Sequence, residues 1–444
     1  MRGWLDRRHL GVQRPWRMRA ARGIVFSAAL AAWTAGQAAS QAPRAPAPSG
    51  APSSQPSEAP ACAAPGAPAA EPYRWYPSLD LARIPFHTAA GPWGPRAPIA
   101  APSPPVTHRT VQVTSASQLV VESRIPGTLI MVNADYIGHA LVPGDVTDVD
   151  IVVPRGRTLG GLTIGRYNPP STTRRLRIRG TTPGMHSGGL VGNITFYSSP
   201  TMDIIIDGVD LNGANSRGAS LLWHFPRPSE RIAVVNVRGH TVGAGALNPS
   251  AVDMVLAGNR IATGALPPEV AGDGTAWGTR GGDRIVIYDN RIDGPRFHRV
   301  RVHQAPGPPQ YAWVANNTFV DPHEARIFSV FKLSTSTAPY AAVWAVCNRV
   351  YAHSTCMSAS FEAPDAAYAM LTGNAFFGSI TEDKQRALQA AHGAGRDYLS
   401  GNTFSPWQAP PAWAAPGDPT AVPLPPVDPS RYNAALKGRP CPPP

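Results

Sequence analysis

The sequence predicts an all-β solenoid, a pile of short stacked coils, on two observations. Asn236, Asn259, Asn290, Asn317, Asn348, Asn374 and Asn402 recur at gaps of 23, 31, 27, 31, 26 and 28 residues, the self-similarity of one supersecondary unit stacked on the next. Two residues beyond six of them stand Ile261, Ile292, Phe319, Val350, Phe376 and Phe404, an apolar column of the same period. The residues just before, Gly258, Asp289, Asn316, Cys347, Gly373 and Gly401, are mostly types that tolerate a left-handed backbone, so each asparagine marks a corner. Asparagines stacked at one corner can bond one another and the corner backbone, which accounts for an amide where a core would otherwise take Leu.

The elements follow in order. Residues 1–40 read as a secretory signal peptide and not a membrane span: seven arginines in 1–22, the apolar run GIVFSAALAAWTAG (23–36), then small residues. Met18 would open a signal of more ordinary length, and Arg7-Arg8 lies too far ahead of the apolar run for a good twin-arginine signal. The expectation is an exported protein, periplasmic, secreted or at the cell surface. Residues 41–105 hold 17 of the 50 prolines and form a linker and peripheral arm, since proline at this density excludes sheet and long helix. Its first half is low-complexity; 71–105 carries Tyr73, Trp75, Tyr76, Phe86 and Trp93, enough aromatic surface to pack along a solenoid.

Residues 106–404 make the solenoid, about ten coils. VQVTSASQLVVESRIPGTLIMVNADY (111–136) reads as a strand, a short helix with a Ser115/Gln118 capping box, a Pro126-Gly127 stop and the strand LIMV. Less regular coils follow at 148–165, 174–182, 193–199, 202–213 and 232–239, and then the six regular corners. TEDKQRALQAAHGAG (381–395) has a Thr cap, acids in its first turn and a Gly stop, a helix inserted between coils that could wall a cleft or merely decorate one. Residues 405–444, with 13 prolines, Trp407 and Trp413, are a C-terminal tail.

Four cysteines in an exported chain point to oxidised pairs: Cys347 with Cys356, nine apart, and then Cys62 with Cys441. No CxxC or His-Cys spacing argues for zinc.

The entry segment 111–136 and the coils behind it resemble the pectate-lyase-like superfamily of right-handed parallel β-helices, over residues 106 to 404. The resemblance implies a single-stranded right-handed parallel β-helix with an N-terminal capping helix. It also implies, for many members, a polysaccharide lyase with Arg or Lys as base and calcium as the partner of the substrate carboxylate. The chain departs from the pattern in two ways. It lacks the paired aspartates and the Gly-His-Gly and Arg-x-Lys segments of polygalacturonase-like hydrolases, for which RGHT (238–241) is a poor substitute. PRFHRVRVH (295–303) is only loosely like the arginine motif of pectate lyases.

The formal charge of +12 falls to +6 once residues 1–39, with seven arginines and one aspartate, are removed. An exported chain with that remainder meets acidic polysaccharide or a cell-surface glycan more readily than nucleic acid. Function on a solenoid is expected on one face of its strands and in the loops beside them. In FHRVRVHQ (297–304), period two groups Arg299, Arg301 and His303 opposite Val300 and Val302, and Lys332 follows about one coil later. In RRLRIRG, it groups Arg175, Arg177 and Arg179 opposite Leu176 and Ile178. Arginine forks match carboxylate or sulfate, and a cation held among cations can lose its proton and act as a base. Arg299, Arg301 and Lys332 are therefore candidate catalytic residues, and His303, Arg175, Arg177 and Arg179 candidate substrate contacts; a solvated, aggregation-resistant strand face fits the same stripes. Asp207, Asp210, Asp283 and Asp293 are the candidate calcium carboxylates and also read as turn aspartates. Val255, Val286, Trp313, Trp344, Met370 and Tyr398, each four positions before a corner asparagine, form either a sugar-stacking column or core.

The leading expectation is a monomeric β-helix protein that binds or cleaves an acidic polysaccharide, by lyase-type β-elimination if it is an enzyme. Its rival is a non-catalytic cell-surface or adhesive scaffold.

Overall fold

The computed structural model describes residue 81 and residues 99–166, 170–198, 200–213, 221–223, 229–241, 251–263, 275–280, 282–293, 298–303, 310–321, 329–334, 341–352, 361–362, 368–378 and 397–410. The segments read above as signal peptide and inserted helix, and the cysteines other than Cys347, lie outside them. Among the described residues no helix is long and apolar enough to cross a membrane.

The chain winds as a right-handed parallel β-helix. Its first sheet has twelve parallel strands in chain order, from Arg109–Val113 through Thr173–Arg179, Thr201–Asp207, Ser229–Val235, Ala251–Ala257 and Gly282–Tyr288 to Asp397–Ser400. A thirteen-stranded sheet takes the strand after each corner, among them Arg260–Thr263, Arg291–Asp293, Thr318–Asp321, Arg349–Ala352 and Ala375–Gly378. Among the described residues a third sheet of four strands, Thr275–Arg280, His298–His303, Ser329–Ser334 and Phe361–Glu362, lies in the C-terminal half.

The helix Ala116–Glu122 sits where the sequence places it. Ser115 Oγ accepts from the Gln118 backbone N–H, while Gln118 Oε1 reaches back one residue further than in an ordinary capping box, to the Thr114 N–H at 2.8 Å. Gly127 turns the chain into the strand Thr128–Val132 at φ +73°, a left-handed backbone that favours glycine.

The lumen is filled by aligned apolar rows. Ile204, Ile232, Met254 and Ile285 are register neighbours, as are Ile206, Val234, Leu256 and Ile287, all at most 1% exposed. Opposite them stand Ile261, Ile292, Phe319, Val350 and Phe376, the apolar column legible in the sequence; Phe404 closes it, stacked on Phe376 at 5.1 Å. Each such side chain removed from water contributes roughly 1.5–3 kcal/mol.

The corner asparagines form a continuous ladder. Nδ2 of Asn259, Asn290, Asn317, Asn348 and Asn374 donates to Oδ1 of the next member at 2.9–3.0 Å, and the backbone N–H of each donates to that same oxygen. The second Nδ2 hydrogen goes to a carbonyl of the preceding strand, Val234, Leu256, Ile287, Val314 or Ala345. Both amide hydrogens of each are thus used, which is why these side chains tolerate burial to 0–1% exposure. The residues before them have φ between +47° and +66°, the left-handed corner that was expected.

Asn236 is a correction. It occupies the left-handed position itself, at φ +55°, and the ladder position of its coil is taken by the apolar Val237, whose backbone N–H donates to Asn259 Oδ1 at 2.9 Å. Its type suited either position, so identity alone misplaced it by one residue.

The first sheet is buried on both faces over much of its length. Ile205, Ala233, Val235, Val255, Ala257 and Val286 form a second cluster, separate from the lumen, together with Leu81 and Ile99 of the proline-rich arm. The Ser103 N–H donates to Asp203 Oδ1 and the Val106 N–H to Asp148 Oδ1, both at 3.0 Å, so the junction of arm and solenoid is tied to carboxylates of the sheet.

Candidate functional site

The third sheet assembles the cationic candidates from two strands. Its register pairs Gly278, Arg301, Lys332 and Glu362 in one row and Arg280, His303 and Ser334 in another. Between and beside these run the apolar rows Trp277–Val300–Phe331–Phe361 and Thr279–Val302–Leu333. The alternation read along one strand therefore persists in the register across the sheet. Arg301 and Lys332, 31 positions apart, become direct neighbours on adjacent strands, about 4.8 Å apart along the sheet. His303 lies two residues further along the same strand and Arg299 two residues before Arg301. Glu362, at the end of the row, is a carboxylate that sequence reading missed, because Phe361–Glu362 is a two-residue strand without periodicity of its own.

Arg175, Arg177 and Arg179 lie in a different sheet, on Thr173–Arg179, and their guanidinium groups are engaged within the chain. Arg175 binds Asp148 with two parallel bonds of 2.5 Å. Arg177 binds Asp150 at 2.5 and 3.1 Å, and Arg179 shares Asp150 while also donating to the carbonyls of Gly180 and Thr181. Leu176 and Ile178 face the lumen as expected. Arg175, however, sits at φ +49°, so the strict alternation that would align it with Arg177 and Arg179 is broken there.

That kink is part of a second ladder. Asp148, Arg175, Asp203, Arg231, Asp253 and Arg284 occupy the same left-handed position in six successive coils, with φ between +49° and +61°. The charges alternate strictly, and the bidentate pairs are Arg175–Asp148, Arg231–Asp203 and Arg284–Asp253. The hydrogen bond from Arg175 holds the Asp148 carboxyl below its usual range. At Asp203 burial works upward, and Arg231 with the Ser103 N–H outweighs it, leaving that carboxyl lowered as well. These arginines are raised in turn by their aspartate partners. This ladder escaped the sequence reading because its residue type changes at each step.

Of the calcium candidates, Asp207 and Asp210 are engaged within the chain. Asp207 is buried, accepts from the Gly184 N–H at 2.7 Å and from Asn236 Nδ2 at 3.3 Å, and is pushed up to about 6 by desolvation. Asp210 accepts from His186 Nε2 at 2.8 Å. Among the described residues no group of three or more His, Cys, Asp or Glu side chains is arranged to hold a metal ion.

Val255, Val286, Trp313, Trp344, Met370 and Tyr398 are register partners in one row of the first sheet. Val255 and Val286 belong to the cluster covered by Leu81 and Ile99, on the face away from the lumen yet closed to solvent. Trp313, half-buried at the margin, stacks on Tyr288 at a centroid distance of 5.5 Å. The first members of the column are thus core, although on the face away from the lumen.

No family model matches the sequence, and comparison with curated proteins and with solved structures finds no match.

Proposed function

We propose that this chain is an exported member of the pectate-lyase-like superfamily that binds an acidic polysaccharide along the polar rows of the third sheet and cleaves it by β-elimination. The observation that carries the reading is the register pairing of Arg301 with Lys332. In the proposed reaction a uronate carboxylate pairs with Arg301 and Arg299, Lys332 takes the proton on the carbon next to that carboxylate, and the electron pair left behind forms a double bond as the glycosidic oxygen departs. His303 contacts the neighbouring sugar. Calcium, where it takes part, pairs with the substrate carboxylate.

A scaffold reading is favoured by a different observation, the commitment of Arg175 and Arg177 to Asp148 and Asp150, which turns one of the two arginine stripes into internal ion pairs.

The test uses the purified exported chain with a panel of uronic-acid polysaccharides, with and without calcium, following the ultraviolet absorbance of the unsaturated product. A rising signal abolished by Lys332→Ala and by Arg301→Ala is expected. A flat signal across the panel, with no polysaccharide retained in a binding assay, would leave the scaffold.

A further inference from the structure

The thirteen-stranded sheet carries a cleft that none of the readings above uses. It has a volume of about 230 Å³ and is lined by Arg155, Arg157, His186, Gly188, Gly189 and Asp210, among others. That is smaller than the roughly 300–1,000 Å³ of clefts that take drug-sized ligands, and suits a small polar group.

The segment 181–187 builds its wall. Ser187 Oγ accepts from the Thr182 N–H at 2.8 Å and donates to the Thr182 carbonyl at 3.1 Å, closing the segment on itself. The Gly184 N–H bonds Asp207, the Gly188 N–H bonds the Gly208 carbonyl at 2.8 Å, and the Gly189 N–H bonds the Val153 carbonyl at 2.9 Å. A Cβ on Gly189 would collide with the carbonyl oxygens of Arg157 and Pro154, so the close approach that forms the floor needs glycine.

His186 is held in this wall with its side chain only 9% exposed, and Nε2 lies 2.8 Å from Asp210 Oδ1. An ionised carboxylate only accepts, so Nε2 carries the hydrogen. Nδ1 is then left buried with no hydrogen-bond partner, a state that costs about 1–3 kcal/mol for an ordinary polar group and calls for an explanation. Beside it, Arg157 is paired with Asp135, whereas Arg155 is exposed and has no carboxylate partner among the described residues. The cleft is therefore lined by a guanidinium with no carboxylate partner among the described residues and walled by an imidazole whose second nitrogen is sealed from it without a partner.

We propose that this cleft binds a single small oxyanion, the carboxylate of a uronate or a sulfate group, between Arg155 and the Nδ1–H of a protonated His186, with Asp210 holding the imidazolium from behind. Because Nδ1 has no open surface, entry needs the wall to lift at Met185, the neighbouring residue, which is 58% exposed. The site is independent of the third sheet and of whether that sheet is catalytic.

The test titrates the full exported chain, labelled with ¹⁵N-histidine, with sodium galacturonate in one arm and sodium sulfate in the other, at ionic strength fixed by chloride. His186 is assigned by the signal lost in His186→Gln. Saturable movement of the His186 ring nitrogens is expected in at least one arm, with affinity weakened about 5-fold or more by Arg155→Ala, as for loss of a charge-assisted contact. Arg155 is exposed, so its variant folds irrespective of the outcome for His186→Gln. Response to one arm only identifies the ligand's source. Ring nitrogens unmoved by both anions, or movement undiminished in Arg155→Ala, would overturn the proposal.

Discussion

Asn290 Oδ1 accepts two hydrogen bonds from Asn259, one from its backbone N–H at 3.0 Å and one from its Nδ2 at 2.9 Å. A single side-chain oxygen thus takes two donors from the coil before it, beside the bond that Asn290 Nδ2 returns to the Leu256 carbonyl, and the pattern repeats at each step of the ladder.

Replacing a middle member should therefore be severe. Asn317→Ala strands the N–H and one Nδ2 hydrogen of Asn290 and takes a donor from the Ile287 carbonyl at a buried corner, while Asn348 Oδ1 keeps only the bond from the residue 317 backbone N–H. At about 1–3 kcal/mol for each unsatisfied group, partly relieved by relaxation, a loss of about 3–5 kcal/mol is expected. Asn317→Asp should be at least as damaging, since it restores the acceptor but places a charge where a donor is needed. Urea unfolding midpoints of the two variants against the parent check this.

The alternating ladder should show coupling that a surface pair would not. Asp253 is 7% and Arg284 15% exposed at the side chain, so removing either leaves a partly buried charge. Arg284→Ala and Asp253→Ala are each expected to lose about 2–4 kcal/mol, with the double variant well short of the sum and a coupling of about 1–3 kcal/mol. A double-mutant cycle on the same unfolding assay decides it; additive losses would mean that the pair is merely adjacent.

Asp207 gives a pH signature of definite sign. Its folded-state value is raised to about 6, against about 3.9 unfolded, so between those values the folded chain binds more protons and stability falls as pH rises. The loss is complete above about pH 6 and absent below about pH 4, and the shift corresponds to about 3 kcal/mol. Asp207→Asn keeps an acceptor for the Gly184 N–H without the charge, so it should stabilise the chain at pH 7.5 and have little effect at pH 4. Thermal unfolding of both proteins at the two pH values measures the difference.

The proposed Cys347–Cys356 bridge closes a short loop at a corner whose backbone is left-handed at Cys347, φ +59°. Thiol titration under denaturing, non-reducing conditions should find neither cysteine free. Cys356→Ser should lower stability by about 2–3 kcal/mol, the entropy estimate for a loop of this size.

The sequence was most transparent where one residue type does one job in each coil. The asparagine ladder, its left-handed neighbours and the apolar followers all kept their identity, so periodicity exposed them. Asp148 to Arg284 form just as regular a ladder, but with two residue types in alternation, and an identity search sees only half of it at irregular gaps. The Arg175–Arg177–Arg179 stripe was legible as alternation yet not as a set of ion pairs, because the aspartates that meet it lie 27 to 29 residues upstream. The Arg301–Lys332 pairing needed the register, which depends on the length of the intervening loop and not on any local signal. His186 had no pattern around it at all, since a loop's geometry is written in its tertiary hydrogen bonds.

The asparagine ladder also makes coil number an adjustable quantity. Every member from Asn259 to Asn374 offers the same acceptor to the coil before it and the same donors to the coil after it. A deletion running from one corner to the next, such as residues 317–347, would bring Asn348 into the place of Asn317 beneath Asn290 with the donor and acceptor sequence unchanged. The chain is in this sense a text with interchangeable lines, in which whole units can be gained or lost while the residues that give one line a particular chemistry, Arg301 or Lys332, stay bound to the line that carries them.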